Sequence, residues 1–290
     1  MTPKRFAWLV IVILIGCRSQ FAQNKTFYTS TGEAHVDVLV TRDGSLVNNL
    51  KATDFEVFDN GVRQKIVSAE LQLQMPIDAI LVFDMSSSIK GELLDHLKDA
   101  LHELLSDFSE KDRAALITFN QAVVLGSPLT GNFELVKSAL EQTQPSGNSS
   151  LIDACYAGLI LAKSGSELPL MIIFSDGRDT FSWLTGEMVL ETAKRNNSVV
   201  YAISTQRRPK KSFLNDLTSF TGGNLFEVES TGDLASAFLD AIREFRYRYL
   251  LAYTPEGVSG EGWHELDVRV KSKSVKVRYR PGYIRGATDE

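Results

Sequence analysis

The period of apolar and polar positions changes twice along this chain. Residues 35–40 (His-Val-Asp-Val-Leu-Val) alternate, as a half-buried strand does, and residues 42–45 read as a turn. Alternation resumes at 55–58 and 62–66 around Asp59-Asn60-Gly61, and Asn-Gly between two such runs predicts a hairpin because both residues accept the positive φ of its tight turns. The opening is therefore antiparallel β. From residue 77 the pattern becomes near-continuous apolar runs at 77–83, 114–119, 170–174, 199–204 and 224–228, with a short one at 122–125. Such runs suit parallel strands covered on both faces. Between them lie helices at 133–141, 151–163, 186–195, 212–220 and 233–245, and a first helix whose Leu93, Leu97, Leu101, Leu104 and Phe108 share one stripe. Strands alternating with helices predict an α/β fold with a doubly wound, mostly parallel sheet. After Tyr247 the first grammar returns, with a strand at 248–253, a Gly-containing loop at 254–262 and a second hairpin from 263–270 and 274–280. An isolated hairpin is marginal in water, so the two ends are expected to pool into one small antiparallel β module with the α/β unit inserted between them.

The start of the chain concerns its compartment. Lys4 and Arg5 precede an apolar run at 6–16 that is too short for the roughly 20 residues of a spanning helix, which makes it an export signal. The run ends Leu14-Ile15-Gly16-Cys17 and resembles the bacterial lipobox, which implies a lipid on Cys17 as the only membrane attachment. Ordinary cleavage after Ala22, giving a soluble secreted chain, is the alternative. The expected division is signal 1–17, tether 18–33, β module 34–74 and 247–290, and α/β domain 75–246.

Composition narrows the partners. Hydrophobic residues make up 43% of the 290 and charged residues 23%, which supports a sizeable core and excludes disorder. Net charge is −5, which argues against bulk attraction to nucleic acid or anionic lipid. Only Cys17 and Cys155 are present, so a lipidated Cys17 leaves no intramolecular disulfide.

Ligands of a doubly wound sheet gather at the carboxyl ends of its strands. The first such strand delivers Asp84-Met85-Ser86-Ser87-Ser88, where Asp84, Ser86 and Ser88 alternate and can face one way. The strand at 170–174 delivers Ser175-Asp176-Gly177, and a polar loop, Ser146-Gly147-Asn148-Ser149-Ser150, enters the helix at Leu151. Carboxylates and hydroxyls without His or Cys form an all-oxygen set suited to a hard cation.

These residues carry a specific resemblance. Asp84-Met85-Ser86-Ser87-Ser88 is similar to the DxSxS that opens the metal-ion-dependent adhesion site of the von Willebrand factor type A domain. Residues 147–154 (Gly-Asn-Ser-Ser-Leu-Ile-Asp-Ala) resemble that family's second segment, and Ser175-Asp176-Gly177 its closing Asp loop. The likeness spans about 77–245. More loosely, Asp54-Phe55-Glu56-Val57 and Pro281-Gly282-Tyr283 resemble a secreted bacterial family with this domain set between terminal β segments. The resemblance implies that Ser86, Ser88 and Ser149 hold a metal through hydroxyls and that Asp84 and Asp176 act through bound water. Ser149 stands where the family usually has Thr, and Ser150 is the alternative third ligand. The cation implied is Mg2+, or else Mn2+ or Ca2+, and the partner a protein offering it an acidic side chain.

Duller roles are open for several residues. Asp84 and its serines could cap the following helix, and Asp176-Gly177 could be only a turn. Asp153 and Asp179 suit capping and loop hydrogen bonds, Cys155 a core position, and residues 207–211 (Arg-Arg-Pro-Lys-Lys) a solvated loop. Trp183 fits either an exposed contact or the core. The leading function is a non-enzymatic exported binding module; a structural envelope module with a degenerate site and a metal-dependent hydrolase or phosphotransferase are the rivals. Against the enzyme, Ser86 occupies the place where an aspartyl-nucleophile phosphatase wants its second carboxylate, and no G-x-S-x-G or phosphate loop occurs.

Overall fold

The computed structural model describes residues 33–166, 168–205, 212–258, 260–272 and 274–285. The export segment with Cys17, the tether up to residue 32 and the basic run at 207–211 lie outside the described residues. The first β segment supplies β1 (Ala34–Arg42), β2 (Ser45–Leu46), β3 (Phe55–Asp59), β4 (Val62–Gln64) and β5 (Ile66–Leu71). The α/β unit runs β6 (Asp78–Asp84), α1 (Glu92–Ser106), β7 (Arg113–Phe119), β8 (Val123–Thr130), α2 (Phe133–Glu141), α3 (Leu151–Ala162), β9 (Leu170–Phe174), α4 (Gly186–Lys194), β10 (Val199–Ser204), α5 (Phe213–Phe220), β11 (Leu225–Glu227) and α6 (Leu234–Arg246). The chain closes with β12 (Tyr249–Tyr253), β13 (Gly262–Val270), β14 (Lys276–Tyr279) and β15 (Gly282–Arg285).

The central sheet has the order β11-β10-β9-β6-β7-β8, parallel except where β8 runs against β7. Its strands are apolar throughout because successive side chains serve two cores. On β6, Ala79, Leu81 and Phe83 pack with α1, α2 and α6, while Ile80 and Val82 pack with α3, α4 and α5. The doubly wound α/β architecture read from the sequence is therefore the observed one.

Strands from both ends of the chain form two facing antiparallel sheets, one ordered β14-β1-β12-β5 with β2 beside β1, the other β15-β13-β3-β4. Val36, Val38, Phe55, Val57, Leu251, Tyr253, Val268 and Tyr283 fill the space between them. The Asn60-Gly61 hairpin forms as expected, with φ of 47° and 78° joining β3 to β4. Two expectations fail in the same way. The strand expected at 62–66 breaks at Lys65, β4 staying with β3 while β5 crosses to pair with β12. The hairpin expected from 263–270 and 274–280 does not form: β13 pairs with β3 and β15, and β14 pairs with β1 in the opposite sheet. A short polar link carries the chain across a sandwich as readily as around a hairpin, and inward alternation is the same in both. β8 also continues to Thr130, past the expected end at 125.

Two buried arginines join the sandwich to the α/β unit. Arg248, at the α6–β12 junction, donates from Nε to Asp37 Oδ2 at 2.6 Å and from Nη1 to the Gly222 carbonyl at 2.9 Å. Arg280, after β14, donates to the Asn196 carbonyl at 2.8 Å and to those of Ala193 and Lys194 at 3.4 Å, supplying partners for the open end of α4. Burial pulls the Arg280 guanidinium down to about 10, against the pull of Asp37.

Candidate metal centre

Asp84 ends the central strand β6 fully buried, where a carboxylate is tolerated only if its oxygens find donors. They do. Oδ1 accepts the Ser86 backbone N–H at 2.9 Å, and Oδ2 accepts the hydroxyls of Ser175 at 2.7 Å and Ser149 at 3.2 Å. Burial pushes the Asp84 carboxyl above its ordinary range; the Ser86 and Ser175 hydrogen bonds pull it back and the charge of Asp176 adds to the rise. The hydroxyl oxygens of Ser86 and Ser88 lie 3.1 Å apart, Ser86 buried and Ser88 exposed.

The loops are held in place by backbone pairing. Met85 N–H donates to the Phe119 carbonyl, Ser87 N–H to Gly147 and Ser146 N–H to Met85, so the β6 loop and the 146–150 loop lie side by side. Ser150 N–H donates to the Asn120 carbonyl at 2.7 Å, seating the start of α3 against the β7 end. At the next strand, Asp176 Oδ1 accepts the Arg178 N–H at 2.8 Å and its other oxygen lies 3.9 Å from Arg178 Nε. Gly177 takes φ of 76°, which a side chain resists, and its N–H donates to Ser175 Oγ at 2.9 Å.

The five sequence candidates are thus distributed over three adjoining loops at the carboxyl ends of β6 and β9, with Ser149 reaching Asp84 directly. Ser150 is buried at the N-terminus of α3 and makes no side-chain cap. Asp84 likewise caps no helix: α1 begins eight residues later, after Gly91. Asp153 accepts the N–H groups of Trp183 and Leu184, and Asp179 those of Ile152 and the Ser182 hydroxyl, which are the loop and capping roles expected of them. Cys155 is buried among apolar side chains, and that burial pushes its thiol up. Trp183 stands 90% exposed, so the core alternative falls.

Two contributors were not singled out from the sequence. Ser175 was visible only as a neighbour of Asp176, yet its hydroxyl makes the shortest bond to Asp84. Thr180 clamps Ser149 from both sides, its Oγ1 accepting the Ser149 N–H at 3.0 Å and its own N–H donating to the Ser149 carbonyl at 2.9 Å. That contact spans 31 residues and leaves no local signal. Among the described residues no group of three or more His, Cys, Asp or Glu is assembled for a metal. An oxygen-only set of two carboxylates among hydroxyls can serve a hard cation and offers nothing to a soft one. The histidines lie elsewhere: His264 Nδ1 is 2.8 Å from Asp59 in the sandwich, His96 Nδ1 is 2.8 Å from Thr231, His102 is on α1 near Glu141 and His35 is on β1.

Comparison with known proteins bears on the α/β unit and its fold. The profile of the von Willebrand factor type A domain matches residues 78–240. Inter-alpha-trypsin inhibitor heavy chain H1 of Bos taurus is 28% identical over 193 residues, 61% of this chain and 21% of that protein. The chain therefore spans about a fifth of the length of such relatives. The D319A mutant of the PilB minor pilin from Streptococcus sanguinis superposes with a TM-score of 0.51 at 12% identity, over 74% of this chain and 79% of that one. Proximal thread matrix protein 1 from the mussel byssus, solved with a zinc-occupied MIDAS motif, superposes with a TM-score of 0.50 at 18% identity, over 60% and 49%.

Proposed function

Since the chain belongs to the von Willebrand factor type A domain family, we propose that it is a non-enzymatic exported binding protein whose adhesion site takes up a divalent cation, Mg2+ by preference, and through it an acidic side chain of a protein partner. Ser86, Ser88 and Ser149 hold the cation through hydroxyls, and Asp84 and Asp176 hold its bound waters. The observation that carries this reading is the buried Asp84 carboxylate surrounded by the Ser149, Ser175 and Ser86 donors. A hydroxyl that donates to Asp84 keeps its lone pairs for a cation, so the carboxylate fixes the oxygens without competing for them. The zinc-occupied motif of the mussel protein is consistent with a metal here. When bound, the cation supplies an electrophilic point that neutral hydroxyls leave unquenched, and a carboxylate from outside is its natural complement.

Two parts of the reading concern organisation. Residues 75–246 form the metal-binding domain and 34–74 with 247–290 a β module that carries it, in a secreted bacterial lineage with this arrangement. Cys17 bears the lipid that keeps the protein at the envelope, and Cys17→Ser is expected to release it or leave it unprocessed. The test of function is capture of a partner from envelope extract by the immobilised protein. Capture that EDTA abolishes, that Mg2+ restores and that Asp84→Ala loses supports the proposal; capture indifferent to all three contradicts it.

A further inference from the structure

The loop between β9 and α4 carries more apolar surface than a solvent loop should. Phe181 is 46% exposed, Trp183 90% and Met188, on the first turn of α4, 52%. Single exposed apolar residues are ordinary, but three within eight positions beside a candidate site are more than scattered exposure accounts for. The exposure does not come from a loose backbone. Phe181 N–H donates to the Ser149 carbonyl at 3.0 Å, Trp183 and Leu184 N–H groups donate to the Asp153 carboxylate at 3.0 and 2.9 Å, and the Ser182 hydroxyl donates to Asp179. An exposed indole carried on a fixed backbone has only its two side-chain torsions to order when a partner covers it, and Trp is among the residues that most often dominate binding energy.

The same loop is continuous with the metal centre. Phe181 is bonded to the carbonyl of the very residue whose hydroxyl reaches Asp84. In the chain Arg178 lies between Asp176 and Phe181, its side chain 64% exposed and its guanidinium 3.9 Å from the Asp176 carboxylate, a cation beside that acid. Cation, guanidinium and aromatic surface together complement one chemistry, an acidic residue with apolar neighbours.

We propose that Trp183 and Phe181 are the anchor of the binding face, and that the partner presents its metal-seeking acidic side chain flanked in sequence by aliphatic or aromatic side chains that pack on them. The inference rests on the metal-dependent reading of the site, and its test keeps the two apart.

The probe is a displayed peptide library with a fixed central Asp and random flanks, selected on the whole protein in Mg2+ and in EDTA. The expected result is Mg2+-dependent enrichment of apolar flanks. Binding of an enriched peptide falls roughly 30-fold, about 2 kcal/mol, in Trp183→Ala and recovers in part in Trp183→Phe. Calorimetry with Mg2+ alone is unchanged in Trp183→Ala. Polar flanks, enrichment that survives Trp183→Ala, or no enrichment by a protein that does bind Mg2+ would overturn the anchor and leave the metal site standing. Mg2+ binding that is insensitive to Asp84→Ala would instead sink the underlying reading. Vesicles of phosphatidylcholine and phosphatidylglycerol at 3:1 are a further arm: metal-independent binding lost in Trp183→Ala would assign the loop to lipid and overturn the proposal.

Discussion

Replacing Arg248 by Met should uncouple the sandwich from the α/β unit. The guanidinium is fully buried, and its nitrogens meet the Asp37 carboxylate, the Gly222 carbonyl at 2.9 Å and the Tyr201 hydroxyl at 3.4 Å. Burial alone would lower its proton affinity, but Asp37 and Tyr201 hold it above the ordinary Arg value. Met keeps much of the volume and removes the charge, so the cost is electrostatic. A buried carboxylate left without its partner costs about 3–5 kcal/mol, and the Gly222 carbonyl adds about 1 kcal/mol for its lost donor. At about 2–4 °C per kcal/mol for a protein of this size, the melting temperature should fall by about 8–24 °C. Thermal melting followed by circular dichroism measures this, and in urea the transition should split or broaden as the two units separate. The double variant Arg248→Met with Asp37→Leu removes the orphaned charge and should recover most of the loss. A single variant within about 1 kcal/mol of wild type, or a double variant that pays the sum of both singles, would refute the reasoning.

Three further outcomes follow from other contacts. Burial pushes the Asp112 carboxyl upward, but the N–H groups of Ile77 and Ser109 and the Arg246 guanidinium at 2.7 Å outweigh it and leave it below its usual value. Its stabilisation is thus full above the unfolded Asp value near about pH 4 and is lost as pH falls through the lower folded value, so Asp112→Asn should lower stability at pH 7 and flatten the acid limb in urea titrations at stepped pH. Asp59 accepts from His264 at 2.8 Å and from the hydroxyls of Tyr253 at 3.0 Å and Tyr283 at 2.7 Å inside the sandwich, and Asp59→Ala should cost about 3–5 kcal/mol by denaturant titration. Thr180→Val removes the acceptor for the Ser149 N–H and should weaken Mg2+ about fivefold by calorimetry while the metal-free melt moves by no more than a few degrees.

How much of this was legible in the chain depended on the range of the signal. The runs at 77–83 and 170–174 are apolar because Leu81 and Val82 feed opposite cores, and a doubly covered strand announces itself locally. Asp84, Ser86 and Ser88 sit in one loop, and topology alone brings Asp176 beside them. The sandwich was harder. Val268 and Val277 alternate inward as hairpin partners would, yet face the core from opposite sheets, and nothing in the few residues between them states which. The clamp of Thr180 on Ser149 and the placement of Arg248 against Asp37 arise between residues far apart in sequence, so no local pattern records them. Trp183 was undecidable because its position depends on two N–H groups captured by Asp153.

The central claim is that Asp84 organises a cation site, and titration calorimetry with MgCl2 tests it most directly. The wild-type protein should bind one Mg2+ and gain roughly 2.7 kcal/mol of stability at about 100 times the dissociation constant. Asp84→Ala should lose both the isotherm and that gain, read as the difference between metal-loaded and metal-free melts and so separate from the fall in metal-free stability that orphaning the Ser86, Ser149 and Ser175 donors brings. An unchanged Mg2+ isotherm in Asp84→Ala, or none in the wild type, would contradict the account.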